Sequence, residues 1–520
     1  MRTAVEGTEA SGQGQSAMNG KREINVAEVI EGIEAVRVSG PVNAPVRSIA
    51  YDSRRVEAGA VFFALPGEKV DAIRFVGDAL SRGATAIASS HARPRDLARE
   101  IAWIELVSGR ERRGLALASA NFYACPAKVL KLVGVTGTNG KTTTTFLVDS
   151  ILHSRGFVSG LIGTTGYRTP AGFRPALNTT PESLDLQQMF AEIRDGGGTH
   201  AVLEASSHAL AMDRLWGCHF GVAVFTNLTR DHLDFHKTFE DYFAAKRRLF
   251  EGTGAGPADF AVINADDAYA DRLEGLARHT ITYSIKPGAD LVSRNVSLRS
   301  TGLEFTVETS AGKIDVRSRL VGGINVYNIL AAIGVGLGLD IPAAEIEEGI
   351  RKLELVPGRF ERVEEGQPFL VIVDYAHTDD ALRNLISTAR ELNPSGRIIT
   401  VFGAGGERDR TKRPLMGEAA GSLSDLVVLT SDNPRGEDPL RIINDILVGL
   451  QKVTAKYRTE PDRERALEIA LDEARSGDIV LLAGKGHETY QVLRDGTIDF
   501  DDREKARAIL KRKGFQANLR

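Results

Sequence analysis

The 520-residue sequence has few cysteines, little net charge and no long apolar segment. Its two cysteines, Cys125 and Cys218, are too few for a disulfide framework or a cysteine metal cluster. A formal net charge of -4 argues against nucleic-acid binding, which usually needs a basic face. No apolar run approaches the roughly 20 residues of a membrane-spanning helix. Because the N-terminus also lacks the apolar core of a signal peptide, we expect a cytoplasmic protein with no membrane partner.

The length predicts several domains, since a chain of this size usually forms about two to four, and apolar runs that alternate with helical segments predict an α/β fold. Residues 1–22 are rich in Gly, Ser, Ala and Gln, which predicts a disordered tail. We expect an N-terminal α/β domain over 23–110, a central domain over 111–355 and a C-terminal domain over 356–520. The turn signal Val356-Pro357-Gly358 marks the last boundary.

The stretch Val129–Thr145, VLKLVGVTGTNGKTTTT, predicts a phosphate-binding site. An apolar run ending at Val135 predicts a buried strand, and a helix is expected to run to about Arg155. The glycine-rich turn between them would direct backbone N–H groups and the helix dipole at an anion. Lys141 is expected to reach the terminal phosphates and Thr142 to hold Mg²⁺. Val135 stands where the common P-loop pattern has glycine, which favours a specialised nucleotide-binding class.

Four apolar runs, LKLVGVTG, SGLIGTTG, HAVLEASSHA and VAVFTNLTRDH, each end in polar or glycine residues. This pattern predicts a doubly wound parallel sheet whose strand ends converge on the phosphate-binding loop. Glu204 closes one strand, where a carboxylate can reach Mg²⁺, although a solvated acid is the alternative. His232 follows another strand, and a lone histidine is more often structural.

Lys246 lies within a predicted helix, Thr238–Phe250, on the same face as large apolar residues. Tyr242 is four residues before it and Phe250 is four after it, so this lysine faces the interior. Lysine is rarely buried unless it is paired or neutral. It therefore either extends its ammonium to the edge of the helix or serves a function near the nucleotide.

The C-terminal block repeats the pattern in FLVIVDYAH, RIITVFGAGGERDR, DLVVLTSDNPR and DIVLLAGKGHE. We interpret it as a second, Rossmann-like doubly wound domain with its own polar rim. The mixture of cationic and anionic side chains on that rim suits a zwitterionic ligand such as an amino acid. The charged rim residues are Arg408, Arg410, Arg435, Asp432 and Glu488.

These residues alone favour an ATP-dependent enzyme acting on a zwitterionic substrate. An ATP-driven switch or motor is the rival from another class, and it would need a partner surface rather than a small-molecule rim. A nucleotide-binding structural protein is a third possibility. The many polar strand ends argue against it, because such a protein would not need them. In the N-terminal block, Asp52-Ser53-Arg54 is read as an ordinary turn, with a substrate-binding module as the alternative.

The ordered motifs resemble the Mur ligase family over nearly the whole chain after residue 22. The resemblance rests on TGTNGKTT, EASSHAL, FTNLTRDHLDFH, the AAK of Ala244–Lys246, DYAH, FGAGGERDR, SDNPR and GKGHE. It implies three domains and ATP-dependent phosphorylation of a carboxylate. The acyl phosphate is then attacked by an incoming amine in peptidoglycan precursor synthesis. Within the family, the spacing is most similar to members that extend UDP-N-acetylmuramoyl-L-alanyl-D-glutamate. A monomer is expected.

The resemblance also assigns roles to individual residues. It implies catalytic roles for Lys141, Glu204, His232 and Lys246. Magnesium is expected at Thr142, Glu204, His232 and Lys246, the last as a CO₂-derived carbamate. ATP is expected at Gly137, Thr138, Asn139, Gly140, Lys141, Thr142, Thr143, Asn325, Arg359, Asp374 and His377. The UDP-sugar peptide is expected at Ser53, Asn178, Thr179, Thr180, Ser206 and Arg214.

The motif Asp432-Asn433-Pro434-Arg435 is associated in the family with meso-diaminopimelate. This amino acid carries a second carboxylate that Arg435 can clamp in bidentate fashion, whereas L-lysine has none. A lysine-adding member is the alternative, and a folate polyglutamate ligase is disfavoured by SDNPR and GKGHE. The diaminopimelate contacts implied are Arg408, Asp432, Asn433, Pro434, Arg435, Gly484 and Glu488. The sequence departs from the family pattern at Met212, Asp379 and Glu68.

Overall fold

The structure, a computed structural model, describes residues 23–67, 70–310, 312–453 and 455–516. The expected tail over residues 1–22 and the departure at Glu68 lie outside the described residues. The chain divides into two compact units, residues 1–122 and 123–520. None of the described helices is long and apolar enough to cross a membrane.

The first unit is built on a five-stranded sheet. Four of its strands are parallel, and Ala35–Ser39 pairs antiparallel at one edge. The predicted strand, turn and strand over Ser48–Phe63 is confirmed: Asp52 caps a short 3₁₀ helix between the two strands. In spatial order the sheet strands are Ala35–Ser39, Ala102–Leu106, Ala86–Ser89, Ala60–Phe63 and Ser48–Ala50. A separate pair of short strands is formed by Ile24–Asn25 and Pro45–Val46. The helices of this unit are Val26–Val29, Ser53–Arg55, Ala72–Phe75, Val76–Ser81 and Glu111–Phe122.

The second unit begins with an 11-stranded sheet. Its central strands are parallel, and antiparallel hairpins extend both edges. In spatial order the strands are Gly172–Arg174, Gly166–Thr169, Ser159–Gly163, His200–Glu204, Lys131–Thr136, Val222–Phe225, Phe260–Asn264, His279–Ser284, Leu291–Arg299, Gly302–Thr309 and Gly312–Ser318. The helices on this sheet are Pro126–Lys128, Lys141–Ser154, Ser183–Asp195, Ser207–Ala211, Leu233–His236, Phe239–Glu251, Ala270–Arg272, Ile324–Gly338 and Ala343–Lys352.

Both faces of this sheet are covered, as a parallel sheet requires. Val133 and Val135 pack on one face with the helices Lys141–Ser154 and Ile324–Gly338. Leu132 packs on the other face with helix Phe239–Glu251 and its neighbours. The strand Lys131–Thr136 is shorter than the apolar run from Val129 predicted. The 3₁₀ turn Pro126–Lys128 lies just before it and leaves Val129 66% exposed.

A second, six-stranded sheet forms the rest of this unit and confirms the predicted second doubly wound fold. All neighbours are parallel except the edge strand Glu361–Arg362. In spatial order the strands are Glu361–Arg362, Leu370–Asp374, Ile479–Ala483, Ile398–Phe402, Leu426–Leu429 and Tyr457–Thr459. The helices are Asp379–Leu392, Lys412–Leu423, Pro439–Leu450, Arg463–Glu473 and Asp502–Arg512, and Tyr490–Leu493 pairs with Gly496–Asp499 in a hairpin.

Burial of His200 makes the stability of the second unit depend on pH. The ring is 3% exposed at the start of its strand and stacks 4.6 Å from Phe157. Burial, helped by Lys131, lowers the pKa of His200 from 6.5 to about 4. Between those values the unfolded chain binds the proton and the folded chain does not. The stabilising contribution is therefore complete above pH 6.5 and is lost as the pH falls toward 4.

We predict that His200→Gln removes up to about 3 kcal/mol of the pH-dependent change in unfolding free energy. Urea unfolding of both chains, followed from neutral pH down to mildly acidic pH, measures this difference. Identical slopes of unfolding free energy against pH would contradict the prediction.

Candidate active site

The turn between strand Lys131–Thr136 and helix Lys141–Ser154 adopts a backbone that requires glycine at two positions. Gly137 and Gly140 have φ of 143° and 86°. A Cβ on Gly137 would collide with the Thr226 hydroxyl, and one on Gly140 would collide with the Asn328 side chain. With this geometry the first N–H groups of a 14-residue helix face the turn, which makes it an anion site.

Two lysine ammonium groups meet at this turn. Lys141 Nζ donates to the carbonyl oxygens of Gly137 at 2.9 Å and Thr138 at 2.7 Å. Lys246 Nζ donates to the same Gly137 oxygen at 2.7 Å. Lys246 is 1% exposed, its ammonium lies 4.4 Å from the Tyr242 ring centroid, and burial, with the nearby Lys141, lowers its pKa well below the ordinary value. The prediction that Lys246 lies on the apolar face of its helix is confirmed.

Glu204 ends the strand beside the turn and is 1% exposed. Its Oε1 accepts hydrogen bonds from Thr142 Oγ1 at 3.0 Å and Thr164 N at 2.8 Å, and its Oε2 accepts one from Thr164 Oγ1 at 3.0 Å. A carboxylate and a hydroxyl next to a phosphate site are the hard oxygen donors that Mg²⁺ prefers. No group of three or more His, Cys, Asp or Glu that could hold a metal occurs among the described residues. A Mg²⁺ ion at Glu204 would thus take further ligands from phosphate and water, as Mg²⁺ commonly does.

Asp231 and His232 form a second polar group at the same strand edge. The Asp231 carboxylate is almost buried and lies 3.3 Å from His232, 3.8 Å from Lys412 and 4.0 Å from His377. Burial raises the pKa of Asp231, but these neighbours outweigh it and leave the pKa below its ordinary range. Burial lowers the pKa of His232 to about 3 and that of His377 to about 4, so both rings are neutral near pH 7.

Residues of the C-terminal sheet approach the phosphate-binding turn directly. Arg359 Nη2 donates to Thr142 Oγ1 at 2.9 Å. Asp380 Oδ2 accepts from Asn139 Nδ2 at 2.7 Å, and His487 Nε2 lies 3.0 Å from the Thr164 carbonyl oxygen. Because these contacts cross from one sheet to the other, the two strand-end rims face each other.

A cleft of about 790 Å³ lies between the two rims. It brings together the expected nucleotide and metal residues from both sheets. Those lining it are Gly137, Thr138, Asn139, Gly140, Lys141, Thr142, Thr143, Glu204, His232, Lys246, Asn325, Arg359, Asp374 and His377, together with Thr179 and Ser206 of the expected sugar-peptide set.

The loop Asn178–Thr180 is tied to the cleft through hydrogen bonds at its edge. Thr180 Oγ1 donates to the Glu204 carbonyl at 2.6 Å, and Arg214 Nη1 donates to the Thr180 carbonyl at 2.8 Å. Thr179 Oγ1 accepts from Thr164 Oγ1 at 3.1 Å. Ser53 lies in the first unit, where its hydroxyl hydrogen-bonds the Asp78 carboxylate.

The DNPR residues form a separate polar cluster and do not line the cleft. Arg435 Nη1 donates to the Gly406 carbonyl at 2.8 Å, which joins the DNPR loop to the loop that carries Arg408. Asn433 Nδ2 donates to Glu488 Oε2 at 2.9 Å. The ring of His487 contacts Thr164, which in turn hydrogen-bonds Glu204 in the cleft. Because Glu488 is the next residue after His487, the cluster lies next to the cleft.

Sequence reasoning did not single out four polar residues that organise these groups. Thr164 contacts both oxygens of Glu204, and Asp231 joins the two rims. Arg413 is fully buried against Glu437 and Asp445, and Lys485 is buried against Glu488. Thr164, Asp231 and Lys485 lie in motifs that the sequence analysis quoted, and Arg413 lies three residues beyond FGAGGERDR. Periodicity cannot show which partner each of these side chains meets.

The turn geometry predicts a sharp difference between two glycines on one helix. Gly140→Ala forces a side chain into Asn328 at positive φ, whereas Gly156, at φ 82° beyond the other end of the helix, has open space around it. We expect Gly140→Ala to abolish ATP binding and Gly156→Ala to cost about 1 kcal/mol of stability while leaving binding unchanged. Isothermal titration with ATP and Mg²⁺, alongside thermal melting, tests this. Equal nucleotide affinity in the two variants would contradict it.

Three family models match most of the chain. They are the Mur ligase family catalytic domain over residues 45–119, the Mur ligase middle domain over 135–336 and the Mur ligase glutamate ligase domain over 358–486.

Relatives named UDP-N-acetylmuramoyl-L-alanyl-D-glutamate–2,6-diaminopimelate ligase are similar over nearly their whole length. The one from Solibacter usitatus is 53% identical over 495 residues, covering 95% of this chain and 99% of the relative. The one from Geobacillus thermodenitrificans is 44% identical over 474 residues, covering 90% and 96%.

Solved structures agree with this relationship. A structure bearing the same ligase name superposes with a TM-score of 0.65 at 34% identity, covering 95% of this chain and all of the other. MurF ligase from Thermotoga maritima in complex with ADP shares the fold, with a TM-score of 0.63 at 20% identity over 90% of this chain and 98% of the other. With a phosphate-binding turn and a charged second rim already placed by the geometry, these similarities show that the chain belongs to the Mur ligase family.

Proposed function

We propose that this chain is an ATP-dependent, ADP-forming amide ligase that adds meso-diaminopimelate to UDP-N-acetylmuramoyl-L-alanyl-D-glutamate. The observation that carries the proposal is a phosphate-binding turn beside a second rim bearing Arg435, Asp432 and Glu488. The names of relatives that match 90% or more of this chain support the same reaction. We assign the sugar-nucleotide domain to residues 23–110, the ATP domain to 111–355 and the amino-acid domain to 356–520. One chain holds every assigned residue, so we expect a monomer acting in the cytoplasm, where ATP is supplied.

The ATP-binding residues act by positioning and by neutralising charge, which is most of what phosphoryl transfer requires. Lys141 and the backbone N–H groups of Gly137–Thr142 bind the phosphates, with Arg359 adding a cation from the C-terminal sheet. Asn325, Asp374 and His377 line the remainder of the nucleotide site. Thr142 and Glu204 would hold one Mg²⁺, and neutral His232 would contribute to the site of a second. The metal supplies further neutralisation of the phosphate oxygens.

The reaction joins a carboxylate to an amine through an activated acid. A carboxylate oxygen of the dipeptide attacks the γ-phosphorus of ATP, and the bond to ADP breaks. The amine of diaminopimelate then attacks the acyl carbon, loses a proton and displaces inorganic phosphate. Between these steps the enzyme must exclude water, since the acyl phosphate hydrolyses easily. We assign this role to the approach of the two rims, which Arg359 and His487 join by hydrogen bonds.

The sugar-peptide substrate is assigned to residues at the edge of the cleft. Thr179 and Ser206 line it, while Thr180 and Arg214 hold the loop that contains Asn178. We therefore assign the acceptor carboxylate of the substrate to the part of the cleft next to Glu204. Ser53 in the first unit is assigned to the nucleotide-sugar end.

The charged DNPR cluster selects the amino acid. Arg435 and Arg408 suit the distal carboxylate of diaminopimelate, and Asp432 and Glu488 suit its ammonium, with Asn433, Pro434 and Gly484 shaping the site. L-Lysine lacks the distal carboxylate and would leave two guanidinium groups without their partner. The lysine-adding alternative is therefore not favoured.

We predict ATP-dependent phosphate release when the UDP-muramoyl dipeptide and meso-diaminopimelate are both present, with kcat/KM at least about a hundredfold lower for L-lysine. Arg435→Ala should lower kcat/KM for diaminopimelate by about tenfold or more and narrow this preference. Arg494→Ala is the matched control, since that guanidinium is exposed and donates to the Gly436 carbonyl at 3.0 Å. Equal turnover of lysine by the wild-type chain would contradict the proposed amino acid.

We further propose that Lys246 is carbamylated by CO₂. The unprotonated amine is the form that adds CO₂, and burial of Lys246 lowers its pKa in the direction that favours this form. The product is an anion lying between Lys141 and neutral His232, where it suits Mg²⁺ better than a second ammonium does. The modification would also resolve the convergence of two ammonium groups on one carbonyl oxygen.

Removal of CO₂ and bicarbonate should reduce the activity of the wild-type chain, and added bicarbonate should restore it. Lys246→Ala should lose activity under both conditions, whereas Lys286→Ala, which removes a 72% exposed lysine, should behave as the wild type. A carbamate signal from ¹³C-labelled CO₂ in the NMR spectrum should be absent only from the Lys246 variant. Full, CO₂-independent activity of Lys246→Ala would contradict the modification.

A further inference from the structure

Lys485 lies directly beneath the charged cluster that contains Asp432 and Glu488. Its side chain is fully buried, although it follows strand Ile479–Ala483 at the polar rim. The ammonium donates to Glu488 Oε2 at 3.1 Å and to Asn433 Oδ1 at 3.3 Å, and lies 3.8 Å from Asp432 Oδ1. A single buried cation is thus shared by both carboxylates of the cluster.

The backbone beneath Lys485 is held rigidly. Arg463 and Asp502 form a fully buried ion pair, and Arg463 also donates to the Ala483 carbonyl at 3.0 Å and the Ser431 carbonyl at 3.2 Å. Those two carbonyls immediately precede the motifs that carry Lys485 and Asp432. Arg463 therefore ties together the starts of the two loops that carry Lys485 and Asp432.

The cluster retains an unused acceptor. Asp432 Oδ1 is buried and has no hydrogen-bond partner among the described residues. Asp432 and Glu488 together carry two negative charges, and Lys485 balances one of them. The remaining single charge matches one incoming ammonium, while Arg408 and Arg435 are left for a carboxylate. Without Lys485 the acidic side would carry a double negative charge.

We propose that Lys485 is a positioning and specificity-determining residue that sets the charge of the amino-acid site to match a zwitterionic distal group. It holds Asn433 in the orientation in which Nδ2 donates to Glu488 and Oδ1 accepts from Val492 N at 3.0 Å. It also prevents the two carboxylates from repelling the distal carboxylate of the substrate. This inference rests on the proposed diaminopimelate reaction.

The surroundings of Glu488 add a dependence on pH. Burial raises the pKa of Glu488, and Lys485 opposes that rise. The other charged or titratable groups facing it are Asp432, Tyr375, Tyr490 and Arg463. Loss of the lysine charge should protonate Glu488 at a higher pH, so the acidic limb of kcat/KM for diaminopimelate should move to higher pH.

The test compares Lys485→Met and Lys485→Arg with the wild-type chain, with meso-diaminopimelate and L-lysine offered separately. We expect Lys485→Met to lower kcat/KM for diaminopimelate by about tenfold or more and that for lysine by less than about threefold. KM for ATP and for the UDP-muramoyl dipeptide should not change. Lys485→Arg should retain the preference for diaminopimelate to within about threefold, because it retains the charge.

Arg397→Met is the matched control. It removes a cation that pairs with Asp478, whose carboxylate is almost buried at the opposite, amino end of strand Ile479–Ala483. We expect it to lower the melting temperature while leaving the ratio of the two kcat/KM values unchanged.

The inference would be overturned if Lys485→Met lowered kcat/KM equally for diaminopimelate and lysine. It would also be overturned if this variant kept the wild-type preference and pH profile. If Lys485→Met fails to fold, a tenfold loss of preference in Lys485→Arg would overturn it instead. A wild-type chain that turns over neither amino acid would refute the proposed function, an outcome distinct from these.

Discussion

The tight turn from strand Lys131–Thr136 into helix Lys141–Ser154 is the constraint on which the site depends. Gly137 and Gly140 adopt positive φ and leave no space for a Cβ, since Thr226 and Asn328 occupy it. Those two neighbours belong to a different strand end and to helix Ile324–Gly338, so the turn is held by tertiary packing as well as by its own sequence. With it in place, the helix N-terminus, Lys141, Thr142 and Glu204 converge on one point, which is what a triphosphate requires.

Buried charge is the second feature of the molecule, and it is concentrated at the strand ends. Lys141 and Lys246 share one carbonyl oxygen, Asp231 faces Lys412 and two histidines, and Lys485 is shared by two carboxylates. Buried ions are costly unless they are paired and hydrogen-bonded. A protein retains such groups where they bind charged ligands, and ATP, a dipeptide carboxylate and diaminopimelate are all charged. The proposed function accounts for this concentration of charge.

Much of the fold followed from periodicity. Apolar runs ending in polar residues predicted two parallel sheets, and the helix face of Lys246 followed from its spacing to Tyr242 and Phe250. The limits of strand Lys131–Thr136 did not follow, because Val129 is apolar but caps the end of the 3₁₀ turn Pro126–Lys128 and is exposed. The partners of Thr164, Asp231 and Lys485 could not be predicted from periodicity either, because they depend on how strands distant in sequence lie beside one another.

The chemical groups at the strand ends of this protein can be read from its amino-acid sequence, because the side-chain pattern of a strand and the glycines of a turn are local properties. Which of these groups meet depends on how the two sheets pack. The residues proposed to bind the nucleotide come from both sheets and share one cleft, whereas the DNPR residues lie in an adjoining cluster outside it. Hydrogen bonds and Coulomb interactions act over a few ångströms, and residues hundreds of positions apart come within that range only when the sheets are packed.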